Sequence, residues 1–542
     1  MSVVLLVLLN IAAQVLVLRW DLTEDKRHTL SSATKSLVKS LDDKAIATVY
    51  LKGDFNSGFT QLSVATGQLL SELSHYGKLR HSFINPNTLD EQEKQQLDRF
   101  LLSHHLQPVA IYERNKQGIN SETVVYPFAV VRYKDKEIPV SLLNNQRGLS
   151  GSENLNRSVE GLEYAFALCL SRLLEEERQK VVFLEGQAEL PEQNTQDVEQ
   201  ALAEYFDVYR GTVTTDADCL TPFSALIVAD PQQPFSEVDK YIIDHYVMQG
   251  GKVLWVLNGV QFSEQTLQDE GFTPILPLDL NLTDMLFRYG VRVNNRLIQD
   301  LQCLSVPVDV SRNPDIPQYQ PMPWTYSPLL LTSSLSPITK NLSPVSATFC
   351  SDISSVGNSD KVQQTILLAT SDASTATQAP AEVNLQTVNL DTRFYTQANL
   401  PVAVSLEGEF KSAFTHRMCP EGVNSPVETR TLSKPTKQIV VAAGSVISND
   451  TEHGKLLPTG YDRYSRKQFA NRDFILNSLL WLTDTSGLLQ LRQKNIPLRL
   501  LNAQKTTNMQ ILTLFLAIAL PLLLLSLAGC VITITRKHRY AL

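Results

Sequence analysis

Ala225-Leu-Ile-Val-Ala229, Phe235-Ser-Glu-Val-Asp-Lys-Tyr-Ile-Ile-Asp-His-Tyr-Val-Met248, Gly250-Gly251 and Lys252-Val-Leu-Trp-Val-Leu257 decide the fold of this chain. Two short, solidly apolar runs flank a helical stretch that a glycine pair closes. A strand that is apolar at every position is buried on both faces, as parallel strands covered by helices are. The pattern recurs upstream, where a strand over Lys180–Leu184 precedes a helix over Gln196–Tyr205. It recurs downstream, where Ile439–Ala443 precedes a closing helix over Asp473–Thr483. Residues 158–490 therefore read as one α/β domain, its first helix running from Val159 to Glu176. From about residue 305 to 437 Pro, Ser and Thr become frequent and apolar runs shorten, as at Thr365–Ala369 and Val402–Leu406. That stretch reads as a β-rich insertion elaborating the sheet.

Before this domain, residues 21–143 form a second α/β unit. Ser31 is placed to cap a helix. A strand over Ala45–Leu51, an amphipathic helix over Thr60–Tyr76 and a strand over Leu79–Ile84 follow. A polar helix over Asp90–Leu102 and strands over Val109–Glu113, Val124–Tyr133 and Glu137–Ser141 complete it. The order is that of an α+β layer of thioredoxin-like size. It contains no Cys-x-x-Cys, so the redox chemistry of that fold is excluded. Asn144–Arg157, rich in Gly, Ser and Asn, reads as a linker.

Both ends of the chain are apolar. Ile511–Ile534 carries no charge and runs into Arg536, Lys537, His538 and Arg539, so residues 509–534 read as a membrane-spanning helix with a basic tail at 535–542. Pro521 is tolerable there, because neighbouring groups in lipid satisfy the freed carbonyl. Val3–Leu18 is shorter, is interrupted by Asn10 and Gln14, and leads into Arg19 and Trp20. It reads as an uncleaved span, with a cleaved signal peptide as the alternative. Basic residues near both spans, among them Arg492 and Lys494 in the membrane-proximal stretch 491–508, leave orientation open by charge counting.

The chain is 43% hydrophobic and 19% charged, enough to bury a core and too apolar for disorder. Its net charge of −8 argues against nucleic-acid binding. Cys169 falls in an apolar helix; Cys303, Cys350 and Cys419 are candidates for a disulfide in an oxidising compartment. No P-loop occurs, since the Gly-Lys pairs at Lys78, Lys252 and Lys455 are each followed by an apolar residue. His104 and His105 are adjacent and point to different sides of a helix. Gly148-Leu-Ser-Gly-Ser152 lacks the last glycine of a nucleophile elbow. No catalytic residue, metal site or cofactor is expected.

Two polar clusters stand out. Glu185 and Glu189 follow a predicted parallel strand, where open α/β sheets place ligands; they read either as a cleft lining or as a solvated turn. Gly460-Tyr-Asp-Arg-Tyr-Ser-Arg-Lys-Gln-Phe-Ala-Asn-Arg-Asp473 is dense in aromatic and charged side chains. Tyr461, Arg463, Tyr464, Arg466 and Arg472 are candidates for a partner-binding surface, where Tyr and Arg carry much of the energy, or for a staple of the domain edge.

Several of these segments resemble the gliding-motility-associated ABC-transporter auxiliary proteins, the GldG family. They are Asp21-Leu-Thr-Glu-Asp-Lys-Arg-His-Thr-Leu-Ser31, Phe235–Gly251, Phe287-Arg-Tyr-Gly-Val-Arg292, Leu406-Glu-Gly-Glu-Phe410, Gly460–Tyr464 with Phe469–Asn477, and Leu498-Arg-Leu-Leu501. The resemblance implies an inner-membrane protein with a large periplasmic body and a middle domain of intraflagellar-transport-like, amidotransferase-like shape. It also implies a multi-span permease and a cytoplasmic ATPase as partners. Family members often carry His-Gly-Glu where this chain has Gly186-Gln-Ala-Glu189, and Asp-Gly-Asp where it has Ala443-Gly-Ser445. Those departures favour a scaffold over an enzyme. The expectation is a non-enzymatic subunit of an ABC transporter complex, its substrate unknown, with Ala517, Ala519, Ala528 and Gly529 packing on the permease because small residues permit close helix approach. A membrane-tethered hydrolase using Glu185 and Glu189, or a structural envelope protein, is the alternative.

Overall fold

A computed structural model describes residues 29–540 apart from 54, 105, 115–119, 145–149, 176, 310, 312–317, 357–360, 386–387, 425–429, 453, 485–486 and 494–502. The proposed first span, Val3–Leu18, and the Asp21–His28 part of the entry motif lie outside the described residues. The chain divides into two units, 1–494 and 495–542, and is mixed α/β with ten α-helices among the described residues.

The first layer of the larger unit is built from α1 (Ser32–Lys39), β1 (Ala45–Val49), α2 (Ser57–Tyr76), β2 (Leu79–Phe83), α3 (Glu91–Ser103), β3 (Val109–Arg114), β4 (Asn120–Val125), β5 (Phe128–Tyr133), β6 (Lys136–Ser141) and α4 (Gly151–Leu174). Its sheet runs β2-β1-β5-β6, with β1 and β2 parallel and the other pairs antiparallel. In β1, Ala45, Ala47 and Val49 are buried while Ile46 is exposed, the alternation of a sheet covered on one face. Leu62, Leu70 and Leu73 of α2 cover that face.

Two readings are corrected here. The predicted strand over Val124–Tyr133 is broken at Tyr126-Pro127, since a proline cannot donate to a ladder; β3 and β4 pair as a separate hairpin. The stretch read as a linker ends at Ser150, not Arg157. Ser150 caps α4, its Oγ accepting from the Glu153 N–H at 3.3 Å while the Glu153 carboxylate accepts from the Ser150 N–H at 2.8 Å. Glycine and serine from Ser150 onward are the start of a helix with a capping box, and Gly148 and Leu149 lie outside the described residues. Leu162, Phe166, Cys169 and Leu170 of α4 share one core with β1 and α2.

The second layer comprises β7 (Lys180–Glu185), α5 (Glu192–Ala203), β8 (Asp207–Thr212), β9 (Ala225–Ala229), α6 (Glu237–Met248), β10 (Val253–Val256), α7 (Glu264–Glu270), α8 (Thr283–Tyr289), β11 (Cys303–Asp309), β12 (Tyr319–Thr332), β13 (Val362–Ala369), β14 (Pro401–Gly408), β15 (Thr436–Val441) and α9 (Asn471–Thr483), with short hairpins between. Its sheet runs β11-β12-β13-β14-β15-β10-β9-β7-β8, with Val345–Ser346 pairing beside β12. The strands β8, β7, β9, β10 and β15 are parallel; β14, β13, β12 and β11 continue antiparallel.

Alternate residues of each parallel strand enter different cores. Val181, Phe183, Ile227 and Leu254 face α5 and α9, whereas Val182, Leu184, Leu226 and Trp255 face α6 and α8. The solid apolar runs thus follow from two covered faces, each fully buried side chain contributing about 1.5–3 kcal/mol. Strand β8, absent from the sequence reading, is a half-exposed edge with Tyr209 pointing outward, so it has no apolar run. A buried carboxylate locks the insertion to this layer: Asp244 of α6 accepts from Ser412 Oγ at 2.6 Å, the Ala413 N–H at 3.0 Å and Tyr289 OH at 2.8 Å. The cysteines, including Cys303, Cys350 and Cys419, are free thiols, and burial pushes the Cys303 thiol up to about 11. No disulfide forms among them.

In the smaller unit, α10 (Ala503–Tyr540) contains the one candidate membrane span among the described residues, Phe515–His538, with a mean hydropathy of 2.6.

Candidate functional site

In chain order the parallel strands lie 2-1-3-4-5, a doubly wound arrangement whose order reverses between β7 and β9. Ligands of open α/β sheets bind outside the carboxyl ends of the strands at that reversal. The turns that meet there are Gly186–Glu189 after β7, Asp230–Gln233 after β9, Leu257–Gly259 after β10 and Ala442–Ser445 after β15.

In this molecule the crevice is filled by its own side chains. The Glu189 carboxylate folds over its own turn and accepts from the Gln187 N–H at 2.8 Å. Loss of solvent raises its pKa, while the backbone amides of residues 186, 187 and 189 oppose the rise. Those N–H groups are what a phosphate would use, and a carboxylate already occupies them. The Gln187 carbonyl accepts from the N–H groups of Gln232 and Gln233, stitching the β7 and β9 turns together. Its side-chain amide donates to Asp239 of α6 at 3.1 Å.

One strand further, Asn258 donates to Asp230 Oδ1 at 2.7 Å and accepts from the Gly444 N–H at 2.9 Å. A Cβ on Gly444 would lie 2.2–2.5 Å from the Asp230 carboxyl atoms, so only glycine fits. Asp230 takes a left-handed backbone, φ 54°. Loss of solvation pushes its carboxyl up to about 7, against the hydrogen bonds from Gln232 and Asn258 and helped by the charge of Glu264. Ser445 Oγ accepts from the Thr348 N–H at 2.8 Å, which brings a strap of the insertion over the end of β15.

Glu185 does not join Glu189. It pairs with Arg210 of the adjacent strand at 2.7 Å, and Arg210 also pairs with Glu199 and donates to the Leu190 carbonyl at 2.7 Å. Asp230 and Asn258 escaped the sequence reading, which met Gly444 only as part of the Ala443–Ser445 departure. The signal available was positional: an acid-proline and an asparagine-glycine step directly after solid apolar strands.

The other predicted cluster forms a short hairpin of Tyr461–Asp462 with Lys467–Gln468. Gly460, at φ 81°, packs against Asn471 at the start of α9, where a Cβ would come within 2.6 Å. Asn471 in turn exchanges hydrogen bonds with Ser346. Arg463 is paired with Asp450 at 2.6 Å and Arg472 with Asp197 at 3.6 Å. Tyr464 and Arg466 stand exposed at the tip, and Tyr461 lines a cavity of about 850 Å³ beneath α4, with Tyr164, Arg172, Asp473 and Arg492. On α10, at 100° per residue, Ala517 and Ala528 share a face while Ala519 lies on the opposite side and Gly529 between them. No cluster of metal-ligating side chains occurs among the described residues.

The architecture defines a doubly wound α/β body with an antiparallel extension and a polar, self-filled strand end. Residues 178–478, more than half of the chain, match the auxiliary-protein family described as "ABC-type uncharacterized transport system"; the chain belongs to that family. Residues 24–132 match a domain of unknown function, DUF7088. No curated protein matches. Among solved structures, the mmIFT52 N-terminal domain is 15% identical and aligns over 56% of this chain and 97% of its own, with a TM-score of 0.32, too loose a likeness to bear on the fold.

Proposed function

We propose that this protein is a GldG-type, non-catalytic subunit that couples a multi-span permease and a separate cytoplasmic ATPase to an extracytoplasmic substrate or partner. In this reading the body is periplasmic, with a thioredoxin-like first layer and an amidotransferase-like second, and both chain ends sit in the inner membrane. The observation that carries it is the family match over residues 178–478 in a chain that also has a span-length apolar helix at Phe515–His538. The non-catalytic part is supported by the strand-end crevice. Glu185 is committed to Arg210 and Glu189 to its own turn, leaving no free acid–base pair between them. The exposed Tyr464 and Arg466 are the residues with which the hairpin meets its partner, since Arg463 and Arg472 are held internally. Ala517 and Ala528 form the α10 face that packs on the permease.

The test is purification of the tagged full chain from its native membrane in mild detergent, followed by mass spectrometry. Stoichiometric recovery of a permease and a nucleotide-binding subunit is expected. Recovery of the folded, membrane-bound chain alone overturns the reading.

A further inference from the structure

The two main sheets end in the edge strands β2, β6, β11 and β8, and the first three of these are blunted. Strand β11 carries Pro307 and a register shift between Cys303 and Leu304. Strand β6 carries Pro139, and β2 carries the exposed Arg80. Proline, bulges and exposed charge are how natural sheets keep an edge from pairing. Strand β8 has neither proline nor bulge, and its ladder with β7 runs unshifted from Asp207 to Thr212. Its one cation, Arg210, is 14% exposed and held in ion pairs with Glu185 and Glu199.

The Asp207 N–H donates to the Gln179 carbonyl at 3.0 Å. In a parallel ladder alternate residues direct their backbone groups to the same neighbour. Asp207, Tyr209 and Gly211 therefore bond to β7, while Val208, Arg210 and Thr212 turn their N–H and C=O groups outward. Among the described residues none bonds to those outward groups. Tyr209 is 44% exposed, its ring edge-on to Phe223 with 5.7 Å between centroids. Gly211, on the same face, has open space where a side chain would stand. Nothing of the chain's own covers this edge.

We propose that β8 is the edge through which two copies of this chain pair, antiparallel and two-fold about Tyr209, joining their second-layer sheets. In that register the free backbone groups of Val208 and of the copy's Arg210 answer each other as hydrogen-bonded pairs. The two Tyr209 rings face each other between them, and aromatic cross-strand pairs stabilise a ladder. The neighbouring register, centred on Arg210, sets two arginines opposite, and like charges in that position are destabilising. One strand and one ring from each copy bury less than the roughly 1,200 Å² of a stable interface. The pair therefore forms between copies confined to one membrane, where effective concentration is raised, and α10 supplies the span-length helix for that. The inference rests on the membrane anchorage of the reading above, not on its permease or ATPase.

The experiment places Tyr209→Cys in the full chain, with Cys530→Ser removing the exposed thiol of α10, and oxidises native membranes with copper phenanthroline. The Cα atoms of a non-hydrogen-bonded antiparallel pair lie about 4.5 Å apart, within disulfide reach. A reductant-sensitive species of twice the chain's mass is expected. It should be about tenfold more abundant than from Thr212→Cys, whose copies stand about 20 Å apart across the same axis. Val208→Pro removes an outward N–H and no bond to β7, so it should abolish most of the cross-link while leaving the circular dichroism unchanged. Should that variant unfold, Tyr209→Lys sets like charges on the axis and should reduce the recovery of one tagged copy by another in mild detergent. A cross-link no stronger than that of Thr212→Cys overturns the proposal, in whichever fraction the chain is found. So does a cross-link to a different protein, or pairing that Val208→Pro and Tyr209→Lys leave intact. Recovery of the chain outside the membrane fraction instead overturns the anchorage of the earlier reading.

Discussion

The strand-end crevice and the cavity under α4 are made of the same residue types and are opposite in character. At the crevice the charges are held internally, Glu185 by Arg210, Glu189 by its own turn amides and Asp230 by Asn258, and the polar atoms left without a hydrogen-bond partner there are Glu189 Oε1 and Gln187 Oε1. Under α4, one guanidinium nitrogen of Arg492 and the buried Lys340 ammonium have no hydrogen-bond partner, while Asp473 is exposed with Arg472 as its leading counter-charge. Fold analogy directs attention to the first place, whereas unmet charge directs it to the second. A site is defined by groups that still need something, and a doubly wound sheet guarantees only where such groups are usually placed.

Substitutions on the two sides should therefore differ in sign, and the largest effect lies on the satisfied side. Asp244 is fully buried and accepts three hydrogen bonds, and Asp244→Ala strands Ser412 Oγ, Tyr289 OH and the Ala413 N–H in the core. A loss of about 3–5 kcal/mol in urea unfolding is expected. A loss below about 1 kcal/mol would mean that the insertion is not locked to α6 through this group.

Gly444→Ala comes next, at about 1–3 kcal/mol, because the new methyl overlaps the Asp230 carboxyl. Asp230→Ala in the same chain should recover much of that loss, a non-additivity that double-mutant analysis reads directly. The same carboxyl has a pH signature. Its pKa is about 7 in the folded protein and about 4 in an unfolded chain. The folded state therefore holds a proton that the unfolded state releases, so this contribution is complete below about pH 4 and is lost as pH rises to about 7. Asp230→Asn should remove that part of the pH dependence in thermal unfolding between pH 4 and 8; an unchanged profile would assign the slope to other groups.

On the unsatisfied side the sign reverses. Lys340→Met replaces an unpartnered, buried ammonium by an apolar chain of similar length, and stability should rise by about 1 kcal/mol or more at pH 7. Destabilisation of that size instead would show that Lys340 already has a strong counter-charge in the free protein, Glu160 being the acid that acts on it.

How much of this was legible in the residues differs element by element. The central strands were, because Val181–Leu184 and Val253–Val256 feel two hydrophobic faces and their composition records it. Strand β8 was not, since Asp207–Thr212 is an edge whose partner, β7, defines it. The start of α4 was hidden by Gly-Ser composition, although the Ser150–Glu153 capping box was there to be read. Glu185 and Glu189 were placed at the correct end of the correct strand, but whether a carboxylate is free depends on Arg210 and on the turn's backbone, which no local pattern states. Asp473 and Arg492 were visible only as one residue in an aromatic, charged stretch and one basic residue near a membrane. Their meeting beneath α4 is a tertiary fact.

The smallest expected effect concerns the hairpin tip. Tyr464 and Arg466 are exposed and bond to little, so Tyr464→Ala and Arg466→Ala should change unfolding free energy by no more than about 0.5 kcal/mol. Arg463→Ala, which breaks the pair with Asp450, should also stay within about 1 kcal/mol, as exposed ion pairs do. A partner surface is recognised by a loss that stability does not explain. Co-purification of transporter components should fall with Tyr464→Ala and Arg466→Ala while the melting temperature holds. If recovery of the partners is unaffected by either, the tip is a staple of its own domain edge, and the contact with the rest of the transporter lies elsewhere on the body or on the Ala517–Ala528 face of α10.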